Sequence, residues 1–149
     1  MNPELRSCGD NEKGQLGYST DHLYSSSLRQ IETEAIFKTI TTCADFNVGI
    51  DMDGNVWGWG DNSSGVFSSV TVEKSVSKPT KIFSQESFGG KPLQIACTKS
   101  ACLVLCQDDD DQVWVSAKTF DENLRFFVVT HFEVNSVVMG NRSLRRGSN

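Results

Sequence analysis

Carboxylate side chains with metal-ligand spacing occur at one place in this chain. Asp51, Asp53 and Asn55 are spaced like the first ligands of a calcium loop, but Gly54 comes two positions early and the twelfth position is Asn62 instead of glutamate. The same residues are typical of a tight hairpin turn. We therefore predict a turn here, without a metal.

Two further groups could bind a cation, an acidic run at residues 108–111 and the cysteines Cys97, Cys102 and Cys106. Adjacent carboxylates in a turn mostly repel one another into solvent. The cysteines lack paired C-x-x-C spacing, and on one strand Cys97 and Cys102 would face opposite sides. We predict buried thiols and no cofactor, and an odd total of five cysteines favours free thiols.

Catalytic side chains are scarce. The two histidines, His22 and His131, are the candidate bases at neutral pH, and neither lies in a recognisable nucleophile motif. A Gly-x-Ser-x-Gly sequence does not occur. The sequence thus predicts a protein without a catalytic constellation.

A repeat organises the rest of the chain. The segment that begins Gly9-Asp10-Asn11 and contains Gly14 returns 51 residues later as Gly60-Asp61-Asn62 with Gly65. A second alignment, at an offset of 55, pairs residues 40–50 with residues 95–105, and the extra residues fall between Ser84 and Pro92. A fainter third copy at residues 134–140 matches residues 37–43. A period near fifty indicates stacked units of short strands.

The units contain strand patterns. Phe46, Val48 and Ile50 alternate with polar or small residues, which predicts a half-buried strand, and the turn at residues 53–55 leads into a return strand with Trp57 and Trp59. Residues 101–106 are continuously apolar, which predicts a strand buried on both faces. Six glycines are expected where the chain reverses or passes close to a neighbour, namely Gly9, Gly14, Gly17, Gly54, Gly60 and Gly65.

These stretches resemble the repeat of the regulator of chromosome condensation family, which forms seven-bladed propellers. Residues 8–17 and 59–67 fit the family segment that contains Gly-x-Asn and Gly-Gln-Leu-Gly. Residues 78–82 fit the family's proline followed by an aliphatic residue. Residues 40–60 fit the family's aliphatic run and its Asp-Gly-x-Val-aromatic turn. The chain departs from the pattern at Cys43 and Thr98, where the family has glycine, and at residues 66–68. The resemblance implies a propeller and, for some members, nucleotide exchange on a small GTPase.

The predicted fold class is all-β, a partial propeller arc of two to three blades, each an antiparallel sheet of about four strands. We expect a single domain over residues 1–149, with units at residues 7–57 and 58–114 and an incomplete one at 115–149. Because propellers close with four to eight blades, we expect further blades or copies to complete the ring. Trp57, Trp59 and Trp114 could form a binding face, but their hairpin spacing favours packing between blades.

Composition limits the class of partner. The net charge of −5 makes a nucleic-acid partner unlikely, and no stretch approaches the ~20 apolar residues of a membrane span. The sequence favours a soluble protein of the cytoplasm or nucleus.

The predicted function is a protein-protein interaction module with a scaffold or regulatory role; the alternative, implied by the resemblance, is guanine-nucleotide exchange on a small GTPase. Loops between strands form the functional faces of family propellers. The predicted partner-binding residues are Asp10, Asn11, Glu12 and Lys13, the matching Asp61, Asn62, Ser63 and Ser64, and the acidic turn Asp108, Asp109, Asp110 and Asp111.

Overall fold

The structure is a computed structural model that describes residues 4–67, 70–99, 101–107, 113–119 and 128–129. It is built from antiparallel strands with one short helical turn, which confirms the all-β prediction. No helix in these residues is long and apolar enough to cross a membrane. The elements are β1 Arg6–Asp10, β2 Tyr24–Gln30, β3 Phe37–Cys43, β4 Phe46–Asp51, β5 Val56–Asp61, β6 Ser75–Phe83, a 3-10 helix Gln85–Phe88, β7 Lys91–Thr98, β8 Ala101–Gln107, β9 Val113–Thr119 and β10 Val128–Val129.

The described strands form three sheets. The first contains β1 and β2, the second has the order β3-β4-β5-β6, and the third has the order β7-β8-β9-β10. Strands β1 and β2 lie 51 positions before β5 and β6, so the first sheet corresponds to the second half of a four-stranded sheet. The 3-10 helix lies between Ser84 and Pro92, where the repeat alignment requires extra residues.

The strand β4 is buried along its whole length, so the prediction of a half-buried strand was wrong. Val48 and Ile50 have no exposed surface, and their neighbours Asn47 and Gly49 are buried as well. Asn47 bonds to the loop that follows β1, and the ring of Phe37 packs over Gly49. The polar and small residues of β4 therefore face neighbours in the protein. In β8, residues 102–106 are buried on both faces, as predicted.

The six glycines predicted at chain reversals all have positive φ. Gly60 has a φ of 108°, and a Cβ there would overlap the Asp45 carbonyl oxygen and lie 2.7 Å from Phe46 Cα. Gly9, its counterpart 51 residues earlier, has a φ of 111°, but a Cβ there would meet no atom within 4 Å. The two positions share a backbone shape and differ in their surroundings.

This matched pair predicts two different losses of stability. Gly9→Ala should cost only the left-handed backbone penalty, about 1–2 kcal/mol in the free energy of unfolding. Gly60→Ala should cost about 1–3 kcal/mol more, because the methyl group displaces β4. Urea unfolding followed by tryptophan fluorescence measures both losses. Equal losses would show that the backbone conformation alone sets the cost.

Candidate functional site

Two loops with the same internal structure connect β1 to β2 and β5 to β6. At the start of each loop lies a buried asparagine, Asn11 with 6% and Asn62 with 5% of its surface exposed. The Asn11 main-chain N–H donates to the Leu23 carbonyl at 2.8 Å, and the Asn62 N–H donates to the Lys74 carbonyl at the same distance. Since both partners are also 51 residues apart, the sequence repeat extends to individual hydrogen bonds.

The asparagine side chains close the loops. Asn11 Oδ1 accepts from the Leu16 N–H at 3.0 Å, and Asn11 Nδ2 donates to the His22 carbonyl at 3.3 Å. In the second loop, Asn62 Oδ1 accepts from the Phe67 N–H and Nδ2 donates to the Glu73 carbonyl, both at 2.6 Å. These amides determine the loop shape, so any contact with a partner depends on the exposed residues beside them.

The other predicted residues of these loops lie around the two asparagines. Asp10 accepts from Gln15 Nε2 at 2.7 Å, and Asp61 accepts from the Ser63 hydroxyl at 2.8 Å. Four residues are exposed next to the asparagines: Glu12, Lys13, Ser63 and Ser64.

Both loops lie at the same end of the sheets as the β3–β4 turn, because antiparallel strands place alternate connections at one end. The Asp61 N–H donates to the Asp45 carbonyl of that turn at 2.8 Å. We call residues 10–23, 44–45 and 61–74 the acidic loop face; residues 68–69 within it are not described. It carries six carboxylates and two lysines, namely Asp10, Glu12, Asp21, Asp45, Asp61 and Glu73 with Lys13 and Lys74.

A crevice of about 420 Å³ separates the first sheet from the second and reaches the acidic loop face at Asp45. The Gln15 carbonyl oxygen joins the two sheets beside it. It accepts from Asn47 Nδ2 at 2.8 Å and from Trp59 Nε1 at 3.1 Å. The walls of the crevice are formed by Leu5, Arg6, Ser7, Cys8, Asp10, Gln15, Leu16, Ile31, Ile40, Thr42, Ala44, Asp45, Asn47 and Trp59.

Asp51, the first residue of the possible calcium loop, is buried within the β4–β5 hairpin. Its carboxylate accepts from the N–H groups of Asp53 and Asn55, from Asn55 Nδ2 and, at 2.7 Å, from Trp57 Nε1. Burial raises the pKa of Asp51, but these hydrogen bonds outweigh burial and hold the pKa below its usual value. The carboxylate therefore stabilises the predicted hairpin turn. Trp57 and Trp59 are both buried. Trp59 contacts the first sheet through the Gln15 carbonyl, as packing between blades predicts, whereas Trp57 bonds to Asp51 within its own sheet. The side chain of Trp114 lies outside the described residues.

The prediction that Cys97 and Cys102 face opposite sides was wrong. They lie on different strands, with the turn residue Lys99 between them, and pair directly across β7 and β8. A hydrogen bond between the two thiols, together with burial, raises the pKa of Cys97, and burial raises that of Cys106 to about 12. Burial and the nearby Cys97 raise the pKa of Cys43 on β3. No group of three or more His, Cys, Asp or Glu side chains with metal-binding geometry occurs in the described residues.

The predicted site residues Asp108, Asp109, Asp110 and Asp111 lie outside the described residues. Gln107, directly before them, lines a second crevice of about 450 Å³ together with Met52 and Asp53 of the β4–β5 turn. That turn is at the end of the sheet opposite the acidic loop face.

Comparison with known proteins identifies the fold. No protein-family model and no curated protein matches the chain. Among solved structures, human WBSCR16 is 26% identical, with a TM-score of 0.64 over 76% of this chain and 28% of that chain. Prp20p of Saccharomyces cerevisiae is 22% identical, with a TM-score of 0.60 over 78% of this chain and 29% of that chain. A structure of Kap60 bound to yeast RCC1 (Prp20) matches at 20% identity and a TM-score of 0.60, over 83% of this chain and 30% of that chain.

The chain therefore has the repeat fold of the regulator of chromosome condensation propellers, and its sheets form a partial propeller, as predicted. It spans less than a third of the length of each of these structures.

The loop asparagines generate the first prediction for this region. Asn62→Ala leaves the buried Phe67 N–H and Glu73 carbonyl without their partner, so we expect a loss of about 2–3 kcal/mol in the free energy of unfolding. Ser64→Ala, at an exposed position two residues on, should change it by less than about 0.5 kcal/mol. Thermal and urea unfolding of both variants measures the difference. Similar values for the two would exclude a structural role for the amide.

The Asp51 carboxylate generates a pH-dependent prediction. Because its folded pKa lies below the unfolded value of about 3.9, it stabilises the fold above that pH, and the contribution is lost as the pH falls through the folded pKa. Asp51→Asn should lose about 2 kcal/mol at pH 7 and show a smaller further loss below about pH 4. The exposed control Asp53→Asn should change the free energy of unfolding at pH 7 by less than about 0.5 kcal/mol. Urea unfolding from pH 2 to pH 7 would refute the assignment if the Asp51→Asn and wild-type profiles were parallel.

Proposed function

We propose that this chain is a protein-protein interaction module that binds a partner with a basic surface through its acidic loop face. The observation that carries the proposal is the pair of matching loops, in which Asn11 and Asn62 hold the backbone from inside. With their shape fixed by buried amides, the loops present exposed side chains on a stable sheet scaffold. Binding residues are commonly found on loops positioned in this way.

Charge defines the kind of partner. Six carboxylates against two lysines give the acidic loop face an excess of negative charge. Complementary potentials accelerate encounter and favour partners of opposite sign, so a basic protein surface is the best match. The crevice beside the face has an apolar wall at Leu5, Ile31 and Ile40, which suits an anchoring side chain of the partner.

The similar propellers support a protein partner. Prp20p has been characterised for its binding to Gsp1p and histones, and yeast RCC1 has been solved bound to Kap60. Each of these ligands is a protein, and the regions similar to this chain are 29% and 30% of the matched chains.

The second candidate function is guanine-nucleotide exchange on a small GTPase. The observation that favours it is the similarity to Prp20p, which binds Gsp1p. Exchange requires a surface that opens the nucleotide site and no general base, so it is compatible with a chain that lacks a recognised catalytic motif.

A charge-reversal experiment tests the interaction proposal with histones and Gsp1p as probes. Glu12→Lys combined with Asp45→Lys reverses two exposed charges of the acidic loop face, and Glu34→Lys combined with Asp53→Lys reverses two exposed charges at the opposite end of the sheets. Fluorescence anisotropy should show binding of at least one probe, weakened about tenfold or more by the first pair and little by the second, with affinity falling as salt rises. Equal effects of the two pairs, or no binding of either probe, would contradict the proposal.

A nucleotide-release assay separates the two functions. Purified chain is added to Gsp1p loaded with a fluorescent guanine nucleotide, and the release rate is compared with the intrinsic rate. Acceleration that the Glu12 and Asp45 variant abolishes would support exchange. Binding without acceleration would leave the interaction function alone.

A further inference from the structure

The strand β1 has the shape of an internal strand of a sheet. Its counterpart β5 lies 51 residues later and pairs with β4 on one side and β6 on the other. Within the described residues, β1 pairs with β2 alone. The side of β1 that corresponds to the β4 side of β5 is therefore an open edge in this part of the chain.

The backbone at Gly9 is formed as though a neighbouring strand were present. At Gly60 the positive φ brings the main chain against β4, where a Cβ would overlap the Asp45 carbonyl oxygen. Gly9 has nearly the same φ, with no atom within 4 Å of the equivalent point. Among the described residues, none takes the place beside Gly9 that β4 takes beside Gly60.

A main-chain hydrogen-bond donor beside β4 also has a matching position in β1. The Asp61 N–H donates to the Asp45 carbonyl at the start of β4, and Asp10 is the matching position in β1. The side chains of β1 are also less buried than those of β5. Trp57 and Trp59 in β5 are buried, whereas their counterparts Arg6 and Cys8 in β1 are exposed.

The crevice lies beside β1, where a strand equivalent to β4 would lie. Residues 5–8 line one of its sides, and Ile40, Thr42 and Asn47 of the second sheet line the other. At the next junction, β3 and β4 fill the equivalent place and pack against β7, where the Thr41 hydroxyl donates to the Ile95 carbonyl at 3.0 Å. The internal repeat therefore indicates which structure fits the crevice.

We propose that the open edge of β1 binds one extended, uncharged peptide segment as an antiparallel strand, in the position that β4 has beside β5. Addition of a strand to a sheet edge uses main-chain hydrogen bonds for affinity and side-chain pockets for specificity. The segment resembles β4 in its chemistry, with bulky apolar residues and a small residue among them, because Leu5, Ile31 and Ile40 form an apolar wall. A charge buried against that apolar wall would lose hydration.

A second copy of the chain does not supply its own β4, because that strand is already paired on both sides in its sheet. The occupant is therefore a segment that is free to extend. The crevice borders the acidic loop face and shares Asp10, Gln15 and Asp45 with it. Strand addition uses the main-chain edge of β1 instead of the loop charges, so the peptide test can fail while the charge-reversal test succeeds, and the reverse.

The test uses the purified full chain and a fluorescein-labelled synthetic peptide with the sequence of residues 44–52, in which Asp45→Asn and Asp51→Asn remove both carboxylates. We expect saturable binding at one peptide per chain. Gly9→Ala should weaken binding at least tenfold, because its methyl group enters the strand position. Gly89→Ala is the matched control, since Gly89 also has positive φ with no atom within 4 Å and lies outside the crevice. A peptide carrying Val48→Pro, which lacks one main-chain donor, should bind more weakly than the parent peptide.

A second measurement on the unmodified chain guards against misfolding of the glycine variants. Cys8 is exposed on β1, and its counterpart Trp59 is buried beside β4. The peptide should slow alkylation of Cys8 by N-ethylmaleimide at least fivefold. The proposal is overturned if the peptide does not bind saturably, if the two alanine variants bind it equally, or if Cys8 is not protected. Self-association that Gly9→Ala abolishes would also overturn it, because a second copy would then occupy the edge.

Discussion

The first sheet is held against the second by hydrogen bonds from the β1–β2 loop, and the Gln15 carbonyl oxygen makes two of them. It accepts hydrogen bonds from Asn47 in β4 and from the Trp59 indole in β5, so one main-chain atom contacts two strands of the second sheet. That atom is in place because Asn11 holds the loop closed through the Leu16 N–H and the His22 carbonyl. A buried side-chain amide thus sets a loop, the loop sets a junction between sheets, and the junction positions the acidic loop face.

Much of this architecture could be predicted from the sequence, because it depends on regular spacing. The 51-residue repeat predicted equivalent loops, and the structure repeats the bonds of Asn11 at Asn62. The Asp53-Gly54-Asn55 turn and the return strand with Trp57 were predicted for similar reasons, since hairpin chemistry is local. The similarity to solved structures shows that the repeated sequence also has a repeated fold.

The remaining features depend on contacts that spacing does not specify. Asn11 and Asn62 were predicted to face a partner, whereas both amides turn inward. The sequence signal for this was that asparagine recurs at both positions although the next residue differs, Glu12 in one loop and Ser63 in the other. From the sequence alone, Asn47 is expected to face solvent. Its partner, the Gln15 carbonyl, lies 32 positions earlier, and strand spacing does not predict that contact. The prediction for Cys97 and Cys102 assumed that both lie on one strand. A turn between them places them opposite each other on two paired strands.

The bonds of the first loop also bear on how such a chain can grow. Asn11 bonds to residues of its own loop, and the Gln15 carbonyl oxygen bonds to the next sheet. A tandem duplication of one 51-residue segment would carry with it every partner that its loop requires and would meet the same docking groups in the following copy. Natural selection could then add or remove blades by unequal recombination within the gene, without first inventing a new interface.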